Sequence, residues 1–166
     1  MYITQLATLL ALAASTLSLP TGEVQKRALT VRPYADFQIS SGTAGNALAE
    51  AQAKFPVMSP RATWLLSRPP GETAEAAETD AFNEEVDAAS GTAADALKNG
   101  KTKNKVLKLF LETTALQIQQ AQGGKDNQAK IDKEQKKLDN NVAADKKAAG
   151  QASQSVKFTG DVKPKN

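Results

Sequence analysis

KTKNKVLKLFLETTALQIQQAQ, residues 101–122, is the stretch on which the fold turns. Val106, Leu109, Phe110, Thr113, Leu116 and Gln117 recur by threes and fours, the spacing of one face of an α-helix. Leu107, Leu111 and Ile118 widen that face beyond the narrow seam of a coiled coil. This segment is therefore expected to be the central helix of the core, opening after a bend at Gly100. Gly123-Gly124 stops it, so the next helix is expected to run back antiparallel.

That next helix, residues 126–149, is rich in lysine and carries a thin line at Ile131, Gln135, Leu138, Val142, Asp145 and Ala149. A narrow apolar stripe on a polar helix suits one that covers a core from outside. Gly150 ends it, and residues 151–166, polar apart from Val156, Phe158 and Val162, read as a flexible tail.

Upstream, Ala44, Ala47, Leu48, Ala51 and Phe55 share a helical face that Pro56 closes. Residues 72–89 read as an acidic helix whose best buried positions are Phe82, Val86 and Ala89. Thr92 followed by Asp95 resembles a capping box for a short helical segment carrying Leu97. Between these, residues 57–71 (VMSPRATWLLSRPPG) read as an irregular loop in which Trp64 is either tucked onto the core or displayed as an anchor. Residues 29–41 hold the strand formers Val31, Tyr34, Phe37 and Ile39 interrupted by Pro33; lacking a convincing partner strand, they are expected to form an extended arm. The expectation is an all-α fold: a small helical bundle with an antiparallel hairpin of two long C-terminal helices, an extended N-terminal arm and, with no cysteine in the chain, no disulfide.

The N-terminus reads as a leader. Leu6–Ala14 is a nine-residue apolar run followed by small residues. That suits a signal peptide over residues 1–18 and is too short for a bilayer, which takes about 20 residues. Residues 19–27 then form a short propeptide ending in the dibasic pair Lys26-Arg27, so the mature domain is expected to span residues 28–150. No transmembrane segment and no Asn-x-Ser/Thr acceptor is found, and the product is expected to be extracellular.

Histidine and cysteine are both absent, which removes histidine bases, histidine triads, thiol nucleophiles and the common metal ligands. No glycine-rich phosphate loop is present, and paired acids such as Glu84-Glu85 read as solvated surface. No enzyme, no cofactor and no metal is expected. Charge is unevenly spread: eight acids and no lysine or arginine lie between Glu72 and Asp95, whereas fifteen lysines face seven acids from Lys98 onward. Acidic and basic helices are expected to pack on each other, with a basic face as the alternative for an anionic surface. The lysines lack interleaved aromatics, and arginine is missing after Arg68, so no nucleic-acid partner is expected.

Three stretches, LTVRPYADFQISSGTAGNALAEAQAKFPV from Leu29, ETAEAAETDAFNEEVDAASGTAADALKNGKTKNKVLKLFLETTALQIQQAQG from Glu72, and NNVAADKKAAGQAS from Asn140, resemble a family of ascomycete small secreted proteins called hypersensitive response-inducing proteins. Residues 58–71 depart from that pattern. The resemblance implies a secreted, non-catalytic elicitor or effector that meets a plant host protein or surface component. The alternative is a helical protein coating a hydrophobic or anionic surface such as wall, cuticle or membrane. Under either reading the contact residues are expected at Trp64, Lys133, Lys136 and Lys137.

Overall fold

A computed structural model describes residues 33–56 and 70–159. Its elements, in order, are α1 (Tyr34–Phe37), β1 (Gly42–Thr43), α2 (Ala47–Lys54), α3 (residues 70–88), α4 (Gly91–Ala121), α5 (Gln128–Lys147) and β2 (Ala152–Ser153). The described residues are mostly helical, with one two-stranded antiparallel ladder among them that pairs Gly42 with Ser153 and Thr43 with Ala152.

α4 organises the rest. Its buried positions Leu97, Gly100, Asn104, Leu107, Leu111, Thr114 and Ile118 step by threes and fours, and a second stripe, Lys103, Val106, Leu109 and Thr113, lies beside the first. Two adjacent stripes mean that neighbours cover the helix on two sides. Gln117 is exposed and Phe110 only half-buried, so the inner arc is rotated toward Leu107, Leu111 and Ile118 from its expected position. α5 makes the most extensive contact with α4 of any element pair, and it buries Ile131, Leu138 and Asp145, seven residues apart.

The expected bend at Gly100 does not exist; α4 runs unbroken through it for 31 residues. Gly100 is needed for proximity instead. A Cβ there would overlap the carbonyl oxygen of Gln154 and come within 3.2 Å of the Ser40 carbonyl oxygen. Segments from both ends of the described chain thus cross α4 at this one position. The crossing is secured by Gln154 N–H donating to the Ala96 carbonyl (2.9 Å), Asn99 Nδ2 donating to the Ala152 carbonyl (2.9 Å) and Ser153 Oγ donating to the Ser40 carbonyl (2.5 Å).

Three further expectations are corrected by the same packing. Residues 151–159 are not a loose tail: Ser153 and Val156 are buried, and Phe158 meets Tyr34 edge-on at 5.9 Å. Residues 33–41 are not a simple extended arm, because α1 turns Tyr34 and Phe37 inward, and their rings are 5.7 Å apart. The strand that does form lies just beyond that segment, at Gly42–Thr43, and its two-residue partner Ala152–Ser153 lies far along the chain. Thr92 does not cap α4 either; the helix begins after Ser90, and Asp95 lies 3.8 Å from Lys98 in an exposed pair.

α3 contains a turn of π-helix at Glu78–Phe82. Thr73, Ala74 and Ala77 are buried before it, and at its end Phe82 is fully buried while Ala81 is only half-buried. An ordinary helix would place Ala81 on the inner face. One extra residue in the turn advances the phase and brings Phe82 inward instead. At the far end of α4 the left-handed Gly123 (φ 76°) allows Gly123 N–H to reach the Gln120 carbonyl and Gly124 N–H to reach the Gln119 carbonyl, both at 3.1 Å. This is a Schellman closure.

Gly100→Ala is expected to destabilise the protein by about 1–3 kcal/mol through overpacking, although alanine alone would favour the helix by about 1 kcal/mol. Urea denaturation of the two proteins measures the sign.

Candidate functional site

The buried polar side chains come first, because each could in principle be chemistry. Lys103 is fully buried, and its ammonium has three N–H donors to satisfy. They go to the carbonyl oxygens of Ser41 (3.1 Å) and Thr43 (3.0 Å) and to the Glu50 carboxylate, whose two oxygens lie 2.9 and 3.0 Å away. Asn104, equally buried, accepts the Tyr34 hydroxyl at 2.8 Å and donates to the Ala74 carbonyl at 2.7 Å, joining α1, α4 and α3. Burial pushes the Tyr34 hydroxyl up to about 12, against smaller opposing hydrogen bonds from Ser40 and Ser155. Asp145 is 2% exposed, and its two oxygens accept Gly45 N–H (2.9 Å) and Ala47 N–H (2.8 Å). A residue one hundred positions downstream of Gly45 therefore caps α2, where Asn46 makes no side-chain cap of its own. These residues tie the chain together.

The second assembly is a groove of about 420 Å³ where α3, α4 and α5 meet. Glu75 and Glu78 come from α3, Lys105, Lys108, Leu109 and Glu112 from α4, and Glu134, Lys137 and Asn141 from α5. Glu78, at the start of the π turn, pairs with Lys108 at 3.0 Å and Lys105 at 3.3 Å. Burial alone would raise its carboxyl, but the hydrogen bond and charge of Lys108, with help from Lys105, outweigh that and hold it below the ordinary value of 4.5. For Lys108, burial works against the charge and Glu78 more than restores it, so its ammonium sits above the usual 10.5. Lys137 pairs with Glu134 at 2.8 Å within α5. Glu112 makes no ion pair with any described residue. Burial raises its carboxyl above 4.5, Lys108 and Lys137 oppose this, and Glu75 and Glu134 reinforce it.

The residues singled out in the sequence are dispersed. Lys133, Lys136 and Lys137 are exposed on α5, and only Lys137 reaches the groove. Trp64 and the Lys26-Arg27 pair lie outside the described residues. The groove itself was missed, because its members are spread over 67 positions and only the acid–base segregation along the chain hinted at it. The five-residue step from Ala77 to Phe82, which breaks the three-and-four rhythm, was the available sign of the π turn that carries Glu78. Among the described residues no cluster of metal-ligating side chains occurs, and no helix is long and apolar enough to cross a membrane.

Residues 29–157 match DUF8454, a domain of unknown function. The chain belongs to the DUF8454 family. The DUF8454 match runs through β2 to Lys157, so the segment packed against Gly100 lies within the family domain. No curated protein and no solved structure matches the chain.

Two outcomes follow from the buried ties. Lys103→Met is expected to cost about 2–4 kcal/mol, because two backbone carbonyls and a carboxylate lose their donor together; Glu50→Gln should cost less, as both carbonyls keep the ammonium, and denaturation of both variants tests the order. Above pH 10 an unfolded phenol loses its proton while Tyr34 keeps its own until about 12, so stability falls as pH rises through that window. Phenolate absorbance should show this late titration, and Tyr34→Phe should flatten the alkaline limb.

Proposed function

We propose that this protein is an exported, non-catalytic elicitor or effector, recognised by a plant host protein or surface component. The observation that carries the reading is the use of its buried polar groups. Lys103, Asn104, Tyr34 and Asp145 all bond to partners inside the fold, which leaves the outer surface as the part available to another molecule. The leader-like N-terminus, the dibasic pair and the resemblance to hypersensitive response-inducing proteins supply the compartment and the host. We read α4 and α5 as an antiparallel hairpin: Gln120 hydrogen-bonds Gln128 at 3.1 Å near the connection, Glu112 shares the groove with Glu134, and Asn99 meets Gln151 at the opposite end. In that arrangement Lys133 and Lys136 project from a helix whose other side carries Ile131, Leu138 and Asp145 into the interior.

The same exposed lysines favour a second reading, in which α5 lies on an anionic surface such as wall, cuticle or membrane. Infiltration of the purified mature protein into leaves, with anionic-vesicle sedimentation in parallel, separates the two. A defence response without vesicle binding is expected. Binding that disappears in Lys133→Glu/Lys136→Glu, without a leaf response, would replace the first reading by the second, and neither activity would overturn both.

A further inference from the structure

The groove between α3, α4 and α5 holds two kinds of carboxylate. Glu78 is engaged by two ammonium groups from α4, at 3.0 and 3.3 Å, and is the direct electrostatic link between α3 and α4. Glu112 belongs to the same α4 surface but forms no ion pair with a described residue, and it shares the groove with Glu75 of α3 and Glu134 of α5. The remaining charges around it are Lys105 and Lys108, both on Glu78, and Lys137, which holds Glu134. Four carboxylates and three ammonium groups therefore share one cleft, and the excess negative charge rests at the junction of all three helices.

We propose that this groove is a proton-operated clasp, in which protonation of Glu112 tightens α3 and α5 on α4 and protonation of Glu78 releases α3. The inference rests on the groove alone and stands apart from any elicitor activity. Its direction follows from proton counting. Glu112 binds its proton more readily in the fold than at the ordinary value of 4.5, so between that value and neutrality the folded state holds more protons, and the fold gains stability as pH falls. Glu78 binds its proton less readily in the fold, so below 4.5 the unfolded state holds more, and stability is lost as pH falls further. The clasp is tightest near the ordinary carboxylate value and looser on either side.

The test is hydrogen exchange of α3 amides together with urea denaturation of the full chain, from about pH 8 to about pH 3. After correction for intrinsic exchange, α3 protection in the wild-type protein is expected to peak near the ordinary carboxylate value of 4.5. The change on each side should reach up to about tenfold per unit by which the titration differs between closed and open states. Glu112→Gln should remove the gain between neutral and mildly acid pH and keep the acid loss, whereas Glu78→Gln should keep the gain and reduce the acid loss of α3 to that shown by α2. A Glu112→Gln profile parallel to that of the wild type would overturn the proposal. Should Glu78→Gln fail to fold, the wild-type exchange decides: α3 protection that shows no maximum, or that only follows α2 across the range, would overturn it equally.

Discussion

An ammonium group without access to water must find three acceptors, and Lys103 finds them on three different residues, Ser41, Thr43 and Glu50. This holds the strand β1 and the helix α2 against α4, because displacing the segment would leave a charge buried without a partner. One helical turn earlier, Gly100 permits the residues before β1 and after β2 to touch the helix backbone. The ladder between β1 and β2 is only two pairs long and would not persist by itself. It persists here because both strands are fixed to α4 by those neighbouring contacts.

Alanine-rich packing makes such polar ties important. The core sets Ala47, Ala51, Ala74 and Ala77, at almost no exposure, among larger side chains such as Phe37, Phe82, Leu107 and Leu111, and each alanine contributes little apolar area of its own. No disulfide supplements it. Long-range hydrogen bonds from Asp145 to α2, from Asn104 to α1 and α3, and from Ser153 to Ser40 join elements that are distant in sequence. The result is a domain whose two ends are bound to the same face of one helix, which accords with a family match extending from residue 29 to residue 157.

The same residues that hold the fold also separate its interior from its surface chemistry. The interior charges Lys103 and Asp145 are partnered, whereas the groove at α3, α4 and α5 combines the paired carboxylates Glu78 and Glu134 with two, Glu75 and Glu112, that form no ion pair with a described residue. The π turn matters to both. It opens at Glu78, which pairs with Lys105 and Lys108, and ends at Phe82, which the extra residue brings into the core, so an ionic contact and a hydrophobic one flank the same turn.

Local pattern alone determined the two long helices after Gly100 and the short one from Ala47. The threes-and-fours spacing from Val106 to Ile118, the line Ile131, Leu138 and Asp145, and the Gly123-Gly124 stop are short-range features whose physics lies within a few turns of chain. Tertiary structure decided everything that depends on contacts between distant residues. Gly100 reads as a bend until Gln154 and Ser40 are seen against it, Asp145 reads as a stripe residue until it caps α2, and residues 151–159 read as a tail until they pair with residues far upstream. A glycine, an acid and a polar segment each have several low-energy uses; only the neighbour that arrives from elsewhere in the chain selects one.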